Sequence, residues 1–156
     1  MMSDEEARVT PVTDTDADTD ADTDADTDVA PATVRAIVAG HGSFASGIIS
    51  AVEQITGKGA SFLAMSNTGL CLDDIQDTLA RALDDSGAHV IFTDLPAGSC
   101  TMAVRRMIRA RPGVLLVTGI NLSTLLDFAM QDAVEPVVAV NAALERGRAS
   151  MAIYGA

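Results

Sequence analysis

A strand-length apolar run, a turn of small residues and then a helical spacing follow one another repeatedly along this chain, and that repetition limits the folds open to it. The first run, Val34-Arg35-Ala36-Ile37-Val38-Ala39, closes with Gly40-His41-Gly42-Ser43 and gives way to Phe44, Ile48, Ile49, Val52 and Ile55 at helical intervals up to Gly57. A short strand near 61–66 precedes a helix over 72–86, and a strand from His89 to Thr93 precedes a helix over 99–110. Pro112-Gly113 breaks that helix, Val114 to Thr118 supplies a fourth strand, and Asn121 starts a helix through Leu122, Leu125, Leu126 and Phe128. Strands alternating with helices in this way predict a parallel sheet covered on both faces. The expected fold is therefore α/β, a small doubly wound domain with a mainly parallel four-stranded sheet in the order 2-1-3-4. After Pro136 a further helix is expected to Glu145. Arg148 to Tyr154 then reads as a short strand with Met151 and Ile153 on one face, without a partner that the sequence identifies.

With 156 residues the chain has room for one domain of ordinary size. The formal net charge of −12 is unevenly spread: positions 1–30 hold eleven acidic residues against one arginine, leaving −2 for the remainder. Residues 12–28 repeat Thr, Asp and Ala with almost nothing to bury, so residues 1–30 read as a disordered acidic tail and 31–156 as the domain. A calcium loop is excluded there, because the glycine turn and terminal glutamate of an EF-hand are missing. Nine arginines and the single Lys58 form no basic cluster interleaved with aromatics, which argues against nucleic acid. Arg105, Arg106, Arg109 and Arg111 are the one concentration, either a solvated helix surface or a docking patch for an acidic partner. Cys71 and Cys100 lack metal-ligand spacing, and no secretory signal precedes them, so reduced thiols and a cytoplasmic location are expected. No stretch is long enough to span a bilayer.

The chemistry is expected at the rim of the sheet. In open α/β sheets the carboxyl ends of the strands form the binding crevice, and the helices that follow point free N–H groups into it. His41 stands at the end of the first strand and Asp94 at the end of the third, in Thr93-Asp94-Leu95-Pro96-Ala97-Gly98-Ser99. In the order 2-1-3-4 those strands are neighbours about 4.8 Å apart, so the two side chains can meet. A carboxylate on one ring nitrogen fixes the tautomer and stabilises the imidazolium, leaving the other nitrogen as a nucleophile suited to phosphoryl transfer. Two helix starts, at Gly42-Ser43 and Gly98-Ser99, could donate N–H groups to phosphate oxygens. The scheme requires no metal and no cofactor.

Each residue also has a plainer reading. His41 could be a loop or capping histidine, Asp94 a turn residue, and Ser99 an ordinary N-cap worth about 1 kcal/mol. His89 has no partner signature and receives no role. Cys100, next to the expected cap, reads as a small buried hydrophobe, with a helix-start thiolate as the alternative. Gly40-His41-Gly42-Ser43-Phe44-Ala45 also fits a relaxed G-x-G-x-x-A dinucleotide fingerprint. Against that reading, Ser66-Asn67-Thr68 occupies the place where an acid would hold the ribose, and there is no room for a substrate domain.

Val-Ala-Gly-His41-Gly-Ser-Phe-Ala-Ser-Gly, Ile-Phe-Thr-Asp94-Leu-Pro-Ala-Gly98-Ser99 and Val-Thr-Gly-Ile-Asn121-Leu-Ser-Thr-Leu-Leu together resemble the mannose-type (mannose/fructose/sorbose) enzyme IIA family of the phosphoenolpyruvate-dependent sugar phosphotransferase system. The resemblance spans roughly residues 34–150, and the Gly-His-Gly-x-Phe-Ala-Ser-Gly form is closest to the N-acetylgalactosamine-type branch. It implies that His41 accepts a phosphoryl group from the phosphocarrier HPr and passes it to a IIB component, which phosphorylates sugar entering through membrane IIC and IID subunits. It further implies that Asp94 orients His41, with phosphate on Nε2, and that the protein is a homodimer exchanging its C-terminal strand.

One departure is visible. Ala97-Gly98-Ser99-Cys100 stands where the family usually has Gly-Gly-Ser/Thr-Pro, so a glycine and the proline favoured at a helix start are absent. The related subunit that serves dihydroxyacetone kinase typically opens with Ser-His-Ser, unlike Gly40-His41-Gly42. A regulatory phosphoacceptor without a cognate IIB remains the alternative function, and the sugar is not readable from the sequence.

Overall fold

The computed structural model describes residues 33–155. The acidic tail assigned to residues 1–30 therefore lies outside the described residues. In chain order the elements are β1 (Ala36–Gly40), α1 (Phe44–Thr56), β2 (Phe62–Ser66), α2 (Leu72–Ser86), β3 (Val90–Thr93), α3 (Ser99–Met107), β4 (Leu115–Thr118), α4 (Leu122–Met130) and α5 (Pro136–Ala149). The four strands form one parallel sheet in the order β2-β1-β3-β4.

Strand alternation sorts the core into two layers. Along β1, Ala36 and Val38 point to one face and Ile37 and Ala39 to the other; along β3, Val90 and Phe92 oppose Ile91 in the same way. All of these residues are fully buried, as central parallel strands covered on both faces require. The first layer is completed by α1, α4 and α5, and the second by α2 and α3. In the first layer the Phe128 ring meets Phe92 edge-on at 5.1 Å and Phe62 at 5.9 Å between centroids. The Arg35 guanidinium lies 4.4 Å from the centre of the same ring and donates to the carbonyls of Phe128 and Gln131 at the end of α4, the first of which also accepts from the Gln131 N–H.

Two boundaries differ from the sequence expectation. The helix expected over 99–110 is α-helical only to Met107 and tightens into a 3-10 turn at Ile108–Ala110. Pro112 disfavours helical backbone at the residue before it, and Arg111 accordingly adopts φ −131°, ψ 75°. The strand expected from Arg148 to Tyr154 does not form in the single chain. Helix α5 runs on to Ala149 and takes Arg148 with it, because Asn121 Nδ2 and the Ser150 hydroxyl both donate to the Gly147 carbonyl and hold its last turn. Beyond it, to Gly155, the backbone makes no sheet pairing among the described residues, and Met151, Ile153 and Tyr154 are 77%, 88% and 93% exposed. A strand needs a partner for its backbone groups, and the sheet of the same chain does not provide one.

Candidate functional site

The carboxyl ends of β1, β2 and β3 meet at one rim. The register pairs Gly40 with Ser66 and Ala39 with Thr93, so the residues that follow each strand emerge side by side. After Gly40 the chain turns through His41 and Gly42, whose φ of +53° is the left-handed conformation glycine adopts without penalty, and α1 begins at Phe44. This turn leaves His41 at the surface instead of in the sheet.

Asp94 faces it from the end of β3. One carboxylate oxygen, Oδ2, accepts the His41 backbone N–H at 2.9 Å and lies 2.7 Å from His41 Nδ1. The imidazole side chain is 51% exposed, while that of Asp94 is only 10% exposed. Burial pushes the Asp94 carboxyl upward, but the backbone and ring hydrogen bonds from His41 outweigh it and hold the group below its ordinary value. Its second oxygen, Oδ1, is buried and has no hydrogen-bond partner among the described residues. Thr93 and Thr101 brace the loop from below: their hydroxyls are 2.6 Å apart, and Thr101 donates to the Leu95 carbonyl at 2.5 Å.

Glycines line both sides of the pair. A Cβ on Gly40 would stand 3.0 Å from Asp94 Cγ and Oδ2, and one on Gly98 would stand 3.2 Å from His41 Cε1. With Nδ1 held by Asp94 and Cε1 against Gly98, the next ring atom, Nε2, is presented beside the start of α3. Gly42 and Ser43 sit at the exposed start of α1, where the Ser43 side chain makes no capping bond.

Ser99 is displaced by one position from its expected place. Gly98 is the N-cap of α3 and Ser99 its first helical residue, so the Ser99 hydroxyl does not cap the helix. It accepts instead from Asn67 Nδ2 at 2.7 Å. Sequence reasoning noted Asn67 only as a residue that is not acidic. The signal available was its position just after β2, which the order 2-1-3-4 places beside the end of β1.

The remaining candidates lie apart. His89 is exposed and precedes β3, at the end of the sheet opposite Asp94. Cys100 is fully buried, and burial together with the nearby Asp94 charge raises its thiol above the ordinary value, opposite to a reactive thiolate. Arg111 forks onto Asp84 at 2.6 and 2.9 Å, and Arg106 lies 3.6 Å from Asp73, as expected of a solvated helix surface. Among the described residues no group of three or more His, Cys, Asp or Glu could hold a metal ion, and no helix is long and apolar enough to cross a membrane.

Several solved structures share this fold. The mannose/sorbose-specific IIA subunit of the phosphotransferase system from Enterococcus faecalis superposes with a TM-score of 0.68 at 17% identity, over 78% of this chain and 95% of its own. The phosphotransferase system component EIIA from Streptococcus agalactiae gives 0.70 at 20% identity, over 76% and 95%. A sigma-54 interaction domain protein from Enterococcus faecalis gives 0.59 at 13% identity, over 76% and 93%. No curated protein matches the sequence. The family profile described as the PTS system fructose IIA component, EIIA-man, matches residues 35–144, a stretch that contains every element from β1 through most of α5, and the chain belongs to that family.

Proposed function

We propose that this protein is the phosphoryl carrier of a sugar phosphotransferase system, with His41 Nε2 as the acceptor. The observation that carries the proposal is the 2.7 Å contact between His41 Nδ1 and Asp94 Oδ2 on a half-exposed imidazole. With the proton held on Nδ1, the Nε2 lone pair is free to attack phosphorus. The N–P bond of the donor, phosphorylated HPr, breaks as the new N–P bond forms, and no proton need leave. The ring becomes cationic in the phosphorylated state, and the fixed carboxylate of Asp94 stabilises that charge. Gly42 and Ser43 at the start of α1, and Gly98 and Ser99 at the start of α3, are assigned to the phosphoryl oxygens, where helix-start N–H groups favour anions.

Handing the group to a IIB component reverses these steps and connects the protein indirectly to a membrane IIC/IID complex. The carrier is assigned to the cytoplasm and to a homodimer, in which the apolar, unpaired Met151–Tyr154 segment gains a pairing partner from the second subunit. A second reading, a regulatory phosphoacceptor with no cognate IIB, draws on the fold likeness to the sigma-54 interaction domain protein.

The test is intact and peptide mass spectrometry after incubation with phosphoenolpyruvate, enzyme I and HPr, under conditions that preserve acid-labile phosphohistidine. The carrier reading expects one phosphoryl group on His41, none on His41→Ala, and loss of the group when a IIB component is added. Full labelling of His41→Ala sinks the assignment, and acceptance without delivery favours the regulator.

A further inference from the structure

We propose that Asn67 is a positioning residue for phosphoryl transfer, directing the Ser99 hydroxyl proton toward the phosphoryl group. The inference rests on reading His41 as the phosphoacceptor. A serine hydroxyl has one proton and two lone pairs. Asn67 Nδ2 donates to Ser99 Oγ at 2.7 Å and takes up one lone pair, so the proton must point elsewhere. Among the described residues the acceptor beside that proton is the adjacent Cys100 thiol, where the Ser99 hydrogen bond opposes the upward push on the thiol, and sulfur is a weak acceptor. Ser99 sits in the first turn of α3, next to Gly98, whose Cβ position would lie 3.2 Å from His41 Cε1, so a phosphoryl oxygen on Nε2 would arrive beside it as a charged acceptor stronger than the thiol.

The backbone of Asn67 is anchored independently of this contact. Its N–H donates to the Gly40 carbonyl at 3.1 Å, and its own carbonyl accepts from Leu70 at 3.1 Å across a turn in which Gly69 takes φ +74°. Asn67 is therefore tied to the residue immediately before His41 on one side and to the Ser99 hydroxyl on the other. Its side chain is neutral, so it fixes the direction of the hydroxyl without placing a second negative charge beside the phosphate. A carboxylate in its place would instead accept the Ser99 proton and withdraw it from the phosphoryl group.

The experiment measures acceptance from phosphorylated HPr by the full chain, comparing Asn67→Ala and Asn67→Asp, each alone and combined with Ser99→Ala. Circular dichroism confirms folding. Asn67→Ala is expected to lower the maximal rate a few-fold with little change in apparent KM, and Asn67→Asp to be slower again by about tenfold, the size of one charge-assisted hydrogen bond. In the Ser99→Ala background that gap should close. A gap that persists there assigns the loss to direct repulsion between Asp and phosphate and overturns the proposal, as do wild-type rates in both single variants. If Asn67→Asp does not fold, the same cycle is read from Asn67→Ala and Ser99→Ala: non-additive losses support the coupling and additive ones overturn it. Failure of the wild-type protein to take phosphate on His41 defeats the carrier reading itself, an outcome separate from these.

Discussion

Gly40 and Asp94 are packed backbone to carboxylate: a Cβ at position 40 would lie 3.0 Å from both Cγ and Oδ2 of Asp94 and 2.7 Å from a ring carbon of Phe44. The missing side chain at the end of β1 is what lets the carboxylate approach closely enough to receive both the backbone N–H and Nδ1 of His41. This glycine is thus required by close approach.

Gly40→Ala should therefore damage the site more than the fold. The Phe44 ring can rotate away, and overpacking of this kind costs about 1–3 kcal/mol. The carboxylate, held on one side by the braced loop after β3, has less room to retreat without lengthening its bonds to His41. The expected result is a folded protein with modestly reduced stability in urea and a loss of phosphoryl acceptance on the order of tenfold or more. Unchanged acceptance kinetics would show that the approach is not functional.

Asp94→Asn should keep the fold and slow phosphoryl transfer by roughly 100-fold, since an amide, with one accepting oxygen and one donating nitrogen, fixes the Nδ1 proton less firmly and carries no charge to offset that on the phosphorylated ring. A pH dependence of stability accompanies it. Because the folded state holds the Asp94 carboxyl below its ordinary value of 3.8, its contribution is fully present above that value and is lost as pH falls through the lower folded-state value. Urea unfolding of wild type and Asp94→Asn should therefore differ at mildly acidic pH and converge only below pH 3.8. A gap that has already closed above pH 3.8 contradicts the assigned direction.

The parallel sheet, its strand order and the meeting of His41 with Asp94 were all legible, because they follow from short apolar runs alternating with helical spacings and from one topological rule about strand ends. Helix α2 was placed at its observed bounds, Leu72–Ser86, since Gly87 closes a strongly amphipathic run. What the sequence left unread depends on contacts between distant segments. Asn67 and Ser99 are 32 residues apart and meet only because α3 starts beside the end of β2. Ser99 looked like a cap because serine favours that position, yet Gly98 holds the cap conformation. The end of α5 extended past Glu145 because Asn121, 26 residues earlier, holds the Gly147 carbonyl, an interaction without local pattern.

The two cysteines should differ in reactivity. Cys71 is exposed at the start of α2, whereas Cys100 is fully buried with its thiol pushed up by burial and by Asp94. A chromogenic disulfide reagent should modify one thiol per chain in native protein at neutral pH and both in denaturant. Peptide mapping should place the native label on Cys71. Rapid labelling of Cys100 would show that the loop between β3 and α3 opens readily.

Gly147 sets two opposing effects against each other. Alanine in a helix interior is favoured over glycine by roughly 1 kcal/mol. Here, however, a Cβ would lie 2.0 Å from Thr124 Oγ1 and 3.2 Å from Asn121 Oδ1, where α5 crosses α4. Thr124 is buried and its hydroxyl donates to Asn121 Oδ1, so it cannot swing aside without breaking that bond to the cap residue of α4, while Asn121 also holds the Gly147 carbonyl. The steric cost of about 1–3 kcal/mol, added to about 1 kcal/mol for the lost hydroxyl hydrogen bond, exceeds the propensity gain. Gly147→Ala should lower the urea midpoint and leave His41 acceptance largely unchanged, because the contact joins α4 to α5 after β4, the edge strand, whereas His41 and Asp94 follow β1 and β3. A stabilised variant would mean that α4 and α5 can separate freely, and with them the exit path of the Met151–Tyr154 segment.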